Sequence, residues 1–162
     1  MSTPDRFAIL IEEFANSDSE LSCVEFKLNN WNPKRIGTLI SAISNAARLY
    51  DEPCGYVIWG VQDETHEIVG TKFRPIAETA QGQPLELWLA NALSPSLLFS
   101  FKEVQHAKGR LVLLEIPCAA LVPTKFENIA YIRVGSATPK LSARLAPLRE
   151  HETGHHQWHS ST

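Results

Sequence analysis

Apolar residues recur along the first third of the chain with two different periods, and each change of period marks an element. Phe7, Leu10, Ile11 and Phe14 fall at i, i+3, i+4 and i+7, one face of a helix. Thr3-Pro4 would open it as N-cap and first helical position, and Asn16-Ser17-Asp18-Ser19 breaks it. Val24, Phe26 and Leu28 then alternate with Cys23, Glu25 and Lys27, the period of a half-buried strand. Residues 29–32 read as a loop, and Asn32-Pro33 starts a second helix. Its apolar face is Ile36, Leu39, Ile40, Ile43 and Ala47, and it ends before Pro53.

The run Gly55-Tyr56-Val57-Ile58-Trp59-Gly60-Val61 has almost no polar position, so it reads as a central strand covered on both sides. Residues 62–65 turn the chain, 66–70 are expected to return as a strand, and 76–84 read as loop. Leu85, Trp88, Leu89 and Ala92 define a third helix. Three more strands are expected over 98–104, 110–116 and 129–134, with Ala107-Lys108-Gly109 turning between the first two. The pattern predicts an α+β fold, a mixed sheet of about six strands packed with about three helices.

A length of 162 residues fits one domain, assigned here to 1–148. With 44% hydrophobic and 20% charged residues, a disordered chain, a collagen-like repeat and a disulfide scaffold are excluded. Residues 149–162 form a separate tail that holds four of the six histidines, His151, His155, His156 and His159. Histidines at i, i+4 can share a metal ion on a helix, but Thr153-Gly154 and Ser160-Ser161-Thr162 favour a frayed terminus. Three cysteines, an odd count without CxxC spacing, read as free thiols in a reducing compartment. The chain opens without the basic and apolar regions of a signal peptide, and no apolar stretch approaches the ~20 residues of a membrane span. The expected location is the cytoplasm.

A net charge of −3 gives no basic global field. The total hides a partition, because residues 1–69 carry five Lys/Arg against eleven Asp/Glu and residues 70–149 carry ten against five. Among the acids, Glu25 shares a strand face with Lys27, and Asp63 lies just past the apolar strand, where strand ends open into clefts. Glu20 precedes Glu25 by five residues, an odd spacing that puts the two on opposite faces unless the chain bends near 19–22. Carboxylates from different elements are what a hard divalent cation takes, and solvated surface acids are the other reading of the same residues. Ser41, Ser44, His66 and His106 form no nucleophile–base set, and no GxSxG or GxxxxGK[ST] motif occurs. Trp31, in an Asn-rich loop beside Lys34 and Arg35, is a candidate for base stacking.

Four segments, in order and spacing, carry a resemblance. They are Val24-Glu25-Phe26-Lys27, the helix from Ile36-Gly37 to Ile40-Ser41-Ala42-Ile43-Ser44-Asn45, Gly55 to Asp63, and Ala130-Tyr131-Ile132-Arg133-Val134-Gly135-Ser136. Over roughly residues 18–137 the chain resembles the AlbA-like domain of the Schlafen family, of the bacterial AlbA_2 type. Vertebrate Schlafen proteins that cleave tRNA and rRNA hold a three-carboxylate metal site, and the resemblance carries it onto Glu20, Glu25 and Asp63. It implies a metal-dependent endonuclease acting on structured RNA such as tRNA, with Mg²⁺ or Mn²⁺ as cofactor. In that reading Lys27 touches phosphate or an acid ligand, and Lys34, Arg35, Lys72, Arg74, Lys125, Arg133 and Lys140 position the nucleic-acid backbone. Two lobes frame RNA in the vertebrate proteins, so a homodimer is implied. The link from Ala46 to Gly55 is longer than the family's and has one glycine, which leaves a phosphate cradle there unsupported. The alternative function is a non-catalytic DNA- or partner-binding module of a transcriptional regulator.

Overall fold

In the computed structural model, which describes residues 5–17 and 22–142, Asp5 opens helix α1 (Arg6–Ala15). Its carboxylate accepts the Phe7 amide at 2.9 Å, so the cap falls later than Thr3-Pro4, which lies outside the described residues. The expected apolar face holds: Ile11 is fully buried, and Phe7, Leu10 and Phe14 pack beside it on Val24, Phe26, Ile58, Val104 and Leu113.

Strand β1 (Val24–Lys27), helix α2 (Pro33–Leu49) and strand β2 (Cys54–Trp59) form a parallel βαβ unit in which Glu25 pairs with Val57 and Lys27 with Trp59. Asn32 caps α2 through its side chain, and Pro33 takes the first helical position. The expected half-burial of β1 is corrected, since Glu25 is only 8% exposed and both faces are covered. One face meets α1, and the other lies toward the core under α2.

The loop expected over 76–84 is partly ordered. A 3₁₀ turn (Pro75–Ala77) leads into a tight hairpin of β3 (Thr79–Ala80) and β4 (Gln83–Pro84). Gln81 and Gly82 both have positive φ (53° and 79°), the requirement of a type I′ turn. Helix α3 (Leu85–Ala92) follows as expected, then β5 (Leu93–Ser94), β6 (Ser100–His106) and β7 (Gly109–Pro117). The main sheet runs β1-β2-β7-β6, with β2 and β7 inside and β7 antiparallel to both of its neighbours, β2 and β6. The return strand expected at 66–70 shrinks to one bridge, Val61 to Ile68. The amides of Val69 and Gly70 both turn onto the Gly60 carbonyl, and Gly60, His66 and Gly70 have positive φ, which no regular strand tolerates.

Strands β8 (Lys125–Phe126) and β9 (Ile129–Ala130) join β5 in a second sheet, ordered β5-β8-β9. The strand expected over 129–134 is ladder for two residues only, after which Tyr131 bridges Lys140 and Val134 bridges Ala137. This segment crosses α2 and explains why that helix is buried on its polar side too. Ser41, Ser44 and Asn45 are fully buried and grip the crossing chain. Ser41 Oγ donates to the Thr124 carbonyl (2.8 Å) and accepts the Tyr131 amide (2.9 Å), while Ser44 and Thr124 share a hydroxyl contact of 2.8 Å. Asn45 Nδ2 donates to the carbonyls of Thr124 and Tyr131, and its Oδ1 accepts the Thr124 amide. Gly37 makes room for the approach, because a Cβ there would overlap the Phe126 ring. The architecture is the α+β class with three helices that the sequence predicts. Its expected single mixed sheet is divided, among the described residues, into a mixed four-stranded sheet and smaller antiparallel sheets of three and two strands. The tail at 149–162 lies outside the described residues.

Candidate functional site

The α2 grip has a chemical consequence at its far end. Two residues beyond Tyr131, Arg133 turns inward and meets Glu25, with Nε and Nη2 donating to the same carboxylate oxygen, Oε1, at 3.3 and 3.2 Å. Nη1 donates to the Ser22 carbonyl at 3.1 Å. Arg133 was expected to face a phosphate backbone; the structure instead buries it with Glu25. Nothing in local periodicity could have paired positions so far apart, although both belong to the segments that carry the resemblance.

Lys27 lies two residues beyond Glu25, on the same strand face. Half-buried, it has its ammonium pKa lowered chiefly by desolvation and further by Arg35, while Glu25 and Asp63 pull it back up. These four groups therefore share one electrostatic neighbourhood. The backbone explains it: the Lys27 carbonyl accepts the Gly60 amide at 2.7 Å and the Val61 amide at 3.2 Å, which ties the end of β1 to the turn that carries exposed Asp63. Glu20 lies outside the described residues. Among the described residues no group of three or more His, Cys, Asp or Glu could hold a metal ion. His66 packs its ring edge-on against Phe26, on the opposite strand face from Glu25.

The remaining expected cations divide by location. Lys34 and Arg35 stand in the first turn of α2, where Lys34 reaches Glu127 at 4.0 Å and Arg35 donates to Thr138 Oγ1 at 2.8 Å. Exposed Lys72 is held nearby, since its amide and the Thr71 hydroxyl both donate to Asn29 Oδ1 at 2.9 Å. Arg74, also exposed, is 4.0 Å from Glu103, which forms a closer pair with Arg110 at 2.8 Å. Lys125 and Lys140 are exposed on the segment that crosses α2. The backbone positions of Lys27, Lys34, Arg35 and Lys72 thus all adjoin the loop 29–32.

The three cysteines are free. Cys23 and Cys54 line a cavity of about 390 Å³ with Phe14, Tyr50, Glu52 and Tyr56. Burial first and Glu52 second push the Cys23 thiol up to about 11, and Cys54 donates to Tyr56 Oη at 3.0 Å. Both are therefore poor nucleophiles near neutral pH. Among the described residues no helix is long and apolar enough to cross a membrane.

A protein-family model described as Schlafen, AlbA_2 matches residues 20–142. Among solved structures, the DIP2311 protein of Corynebacterium diphtheriae is 18% identical with a TM-score of 0.49. That match covers 83% of this chain and 26% of the other, so the chain spans about a quarter of that protein. The second, from Nitrosomonas europaea, is the N-terminal domain of a protein related to ATP-dependent DNA helicase RecG. It is 20% identical with a TM-score of 0.48, over 80% of this chain and 89% of the other. No curated protein matches the chain.

Proposed function

Because the chain belongs to the Schlafen AlbA_2 family, we propose that it binds nucleic acid at the end of the main sheet where Lys27, Lys34, Arg35 and Lys72 lie. One observation carries this reading. The loop 29–32 follows β1, caps α2 through Asn32 and holds the segment at 71–73 through Asn29, so that the backbone positions of Lys27, Lys34, Arg35 and Lys72 all adjoin one loop. Contacts from such cations to phosphate orient a nucleic acid and make its binding salt-dependent. Structured RNA such as tRNA is the ligand class implied by the resemblance to Schlafen proteins that cleave tRNA and rRNA.

A second reading, metal-dependent endonuclease, is supported by two of the three acids standing on joined elements. Glu25 lies on β1, and the Lys27 carbonyl at the end of β1 accepts the Gly60 and Val61 amides that lead into the turn carrying Asp63. The donor set in the described residues is incomplete for Mg²⁺ or Mn²⁺. One oxygen of Glu25 is taken by a guanidinium, Asp63 stands in an exposed turn, and the third acid, Glu20, lies outside the described residues. An ion held by Glu20, Glu25 and Asp63 would supply charge stabilisation at phosphorus. A homodimer would set two such faces around one RNA.

The test is labelled tRNA with Mn²⁺, incubated with the protein and with Glu25→Gln, Asp63→Asn and Lys34→Glu/Lys72→Glu variants. Salt-sensitive binding that the double lysine variant loses, without cleavage, supports the binding domain alone. Cleavage that both acid variants lose supports the endonuclease. Equal cleavage by every variant marks a contaminant and ends the enzymatic reading. Absence of binding at low salt overturns both.

A further inference from the structure

Trp31 has a role that neither the acids nor the cations require. It lies in a loop whose other three residues are committed to holding the loop still. Asn29 Oδ1 accepts the Thr71 hydroxyl and the Lys72 amide, each at 2.9 Å. Asn30 Oδ1 accepts the Asn32 amide at 3.2 Å, and the Asn30 carbonyl accepts the Trp59 indole N–H at 2.6 Å. Asn32 accepts the Arg35 amide at 3.1 Å as the cap of α2. An aromatic side chain on so constrained a loop has little freedom to lose when a ligand arrives.

The Trp31 ring lies flat on Phe73, with centroids 5.3 Å apart and planes 9° from parallel. Phe73 is fully buried, and it is braced by Trp59 and Phe101 and by Arg110 on its carbonyl. The core thus backs one face of Trp31, while Trp31 itself stays partly exposed. Parallel stacking on a buried ring turns the opposite face away from the core. Lys72 precedes Phe73 in the chain, and Lys34, whose side chain is 67% exposed, stands three residues after Trp31 in the first turn of α2.

We infer that Trp31 is a stacking platform for one unpaired nucleobase, with Lys34 and Lys72 placed for the phosphates on either side. This rests on the nucleic-acid reading above and narrows it to single-stranded or looped segments, because a base inside a continuous duplex has no free face to offer. Stacking of a base on an aromatic ring is sequence-tolerant, so the platform selects unpaired structure and not a particular base.

The experiment measures binding of the protein to a short oligouridylate and to a blunt RNA duplex of equal length, by fluorescence anisotropy. Trp31→Leu keeps an apolar cover over Phe73 and removes the stacking face, and Trp31→Tyr restores an aromatic one. The leucine variant is expected to bind oligouridylate about five- to 150-fold more weakly, with duplex affinity unchanged and the tyrosine variant close to the parent. Equal losses on both probes, or no loss on either, overturn the platform. Should the parent protein bind neither probe, the nucleic-acid reading itself fails; parent binding unaffected by Trp31→Leu removes the platform alone. If Trp31→Leu does not fold, photocrosslinking of 5-bromouridine oligonucleotide to the unaltered protein decides. A crosslink on the peptide containing Trp31 supports the platform, and crosslinks confined to other peptides overturn it.

Discussion

Arg133 and Glu25, 108 positions apart in the chain, meet through two N–H···O contacts on a single carboxylate oxygen, with both side chains buried. The pair joins the segment after β9 to the edge strand of the main sheet. Nη1 extends the tie to the Ser22 carbonyl, just before β1.

Taking away one member of such a pair leaves a buried charge without its counter-ion, which typically costs about 3–5 kcal/mol. Arg133→Ala is therefore expected to lower unfolding stability by about that amount, as read from urea denaturation. Replacing both residues with apolar ones of similar volume, Arg133→Met with Glu25→Leu, should cost much less than the two single changes together. Strict additivity in that cycle would show that the two side chains do not depend on each other.

The grip on the crossing segment carries a second prediction. Asn45 uses both ends of its amide: Nδ2 for the Thr124 and Tyr131 carbonyls, Oδ1 for the Thr124 amide. Asn45→Ala strands buried backbone groups that are each worth about 1–3 kcal/mol when unpaired. Asn45→Asp should be worse, since a carboxylate keeps the acceptor but turns negative oxygen toward two carbonyls. Because Tyr131 leads to Arg133, Asn45→Ala and Arg133→Ala should be less than additive in thermal or urea unfolding.

At Gly37 the ordinary helix rule reverses. Alanine at an exposed helical glycine adds about 0.8–1 kcal/mol of helix stability. Here the added Cβ would overlap the Phe126 ring, so Gly37→Ala should destabilise by about 1–3 kcal/mol through overpacking. Phe126→Leu in the same molecule should recover part of the loss. Unchanged stability on Gly37→Ala alone would contradict the tight contact of α2 with β8.

What could be read from the chain beforehand follows from the range of each interaction. The α1 face, the start and end of α2, the central β2 and the helix at Leu85 all come from periods and caps within a few residues, and these agree with the structure. The buried polar face of Ser41, Ser44 and Asn45 was not legible, because its partners arrive from the region of Thr124 and Tyr131. The same holds for Glu25: residue type marked it as a possible metal ligand, but its guanidinium partner comes from the far end of the domain. The strand at 66–70 failed for a local reason, the positive φ at His66 and Gly70, which the neighbouring apolar residues masked. Trp31 could be flagged from its neighbours, yet only the structure shows Phe73 behind it.

The Cys23 thiol is pushed up to about 11 from 9.0, by burial first and Glu52 next, with Arg133 acting the other way. The folded state therefore keeps a proton that the unfolded chain loses. That contribution to stability is fully present below pH 9 and is lost as pH rises through about 11. Cys54 and Tyr56 are shifted upward as well, so the parent protein should weaken steeply above pH 9. Cys23→Ala loses some packing at every pH but removes its share of the slope. The stability gap between parent and variant should accordingly narrow by about 2–3 kcal/mol between pH 8 and pH 11, as measured by urea midpoints. The buried thiol should also resist iodoacetamide at pH 8 until the protein is unfolded, and rapid native-state alkylation of Cys23 would show that it is neither buried nor held protonated.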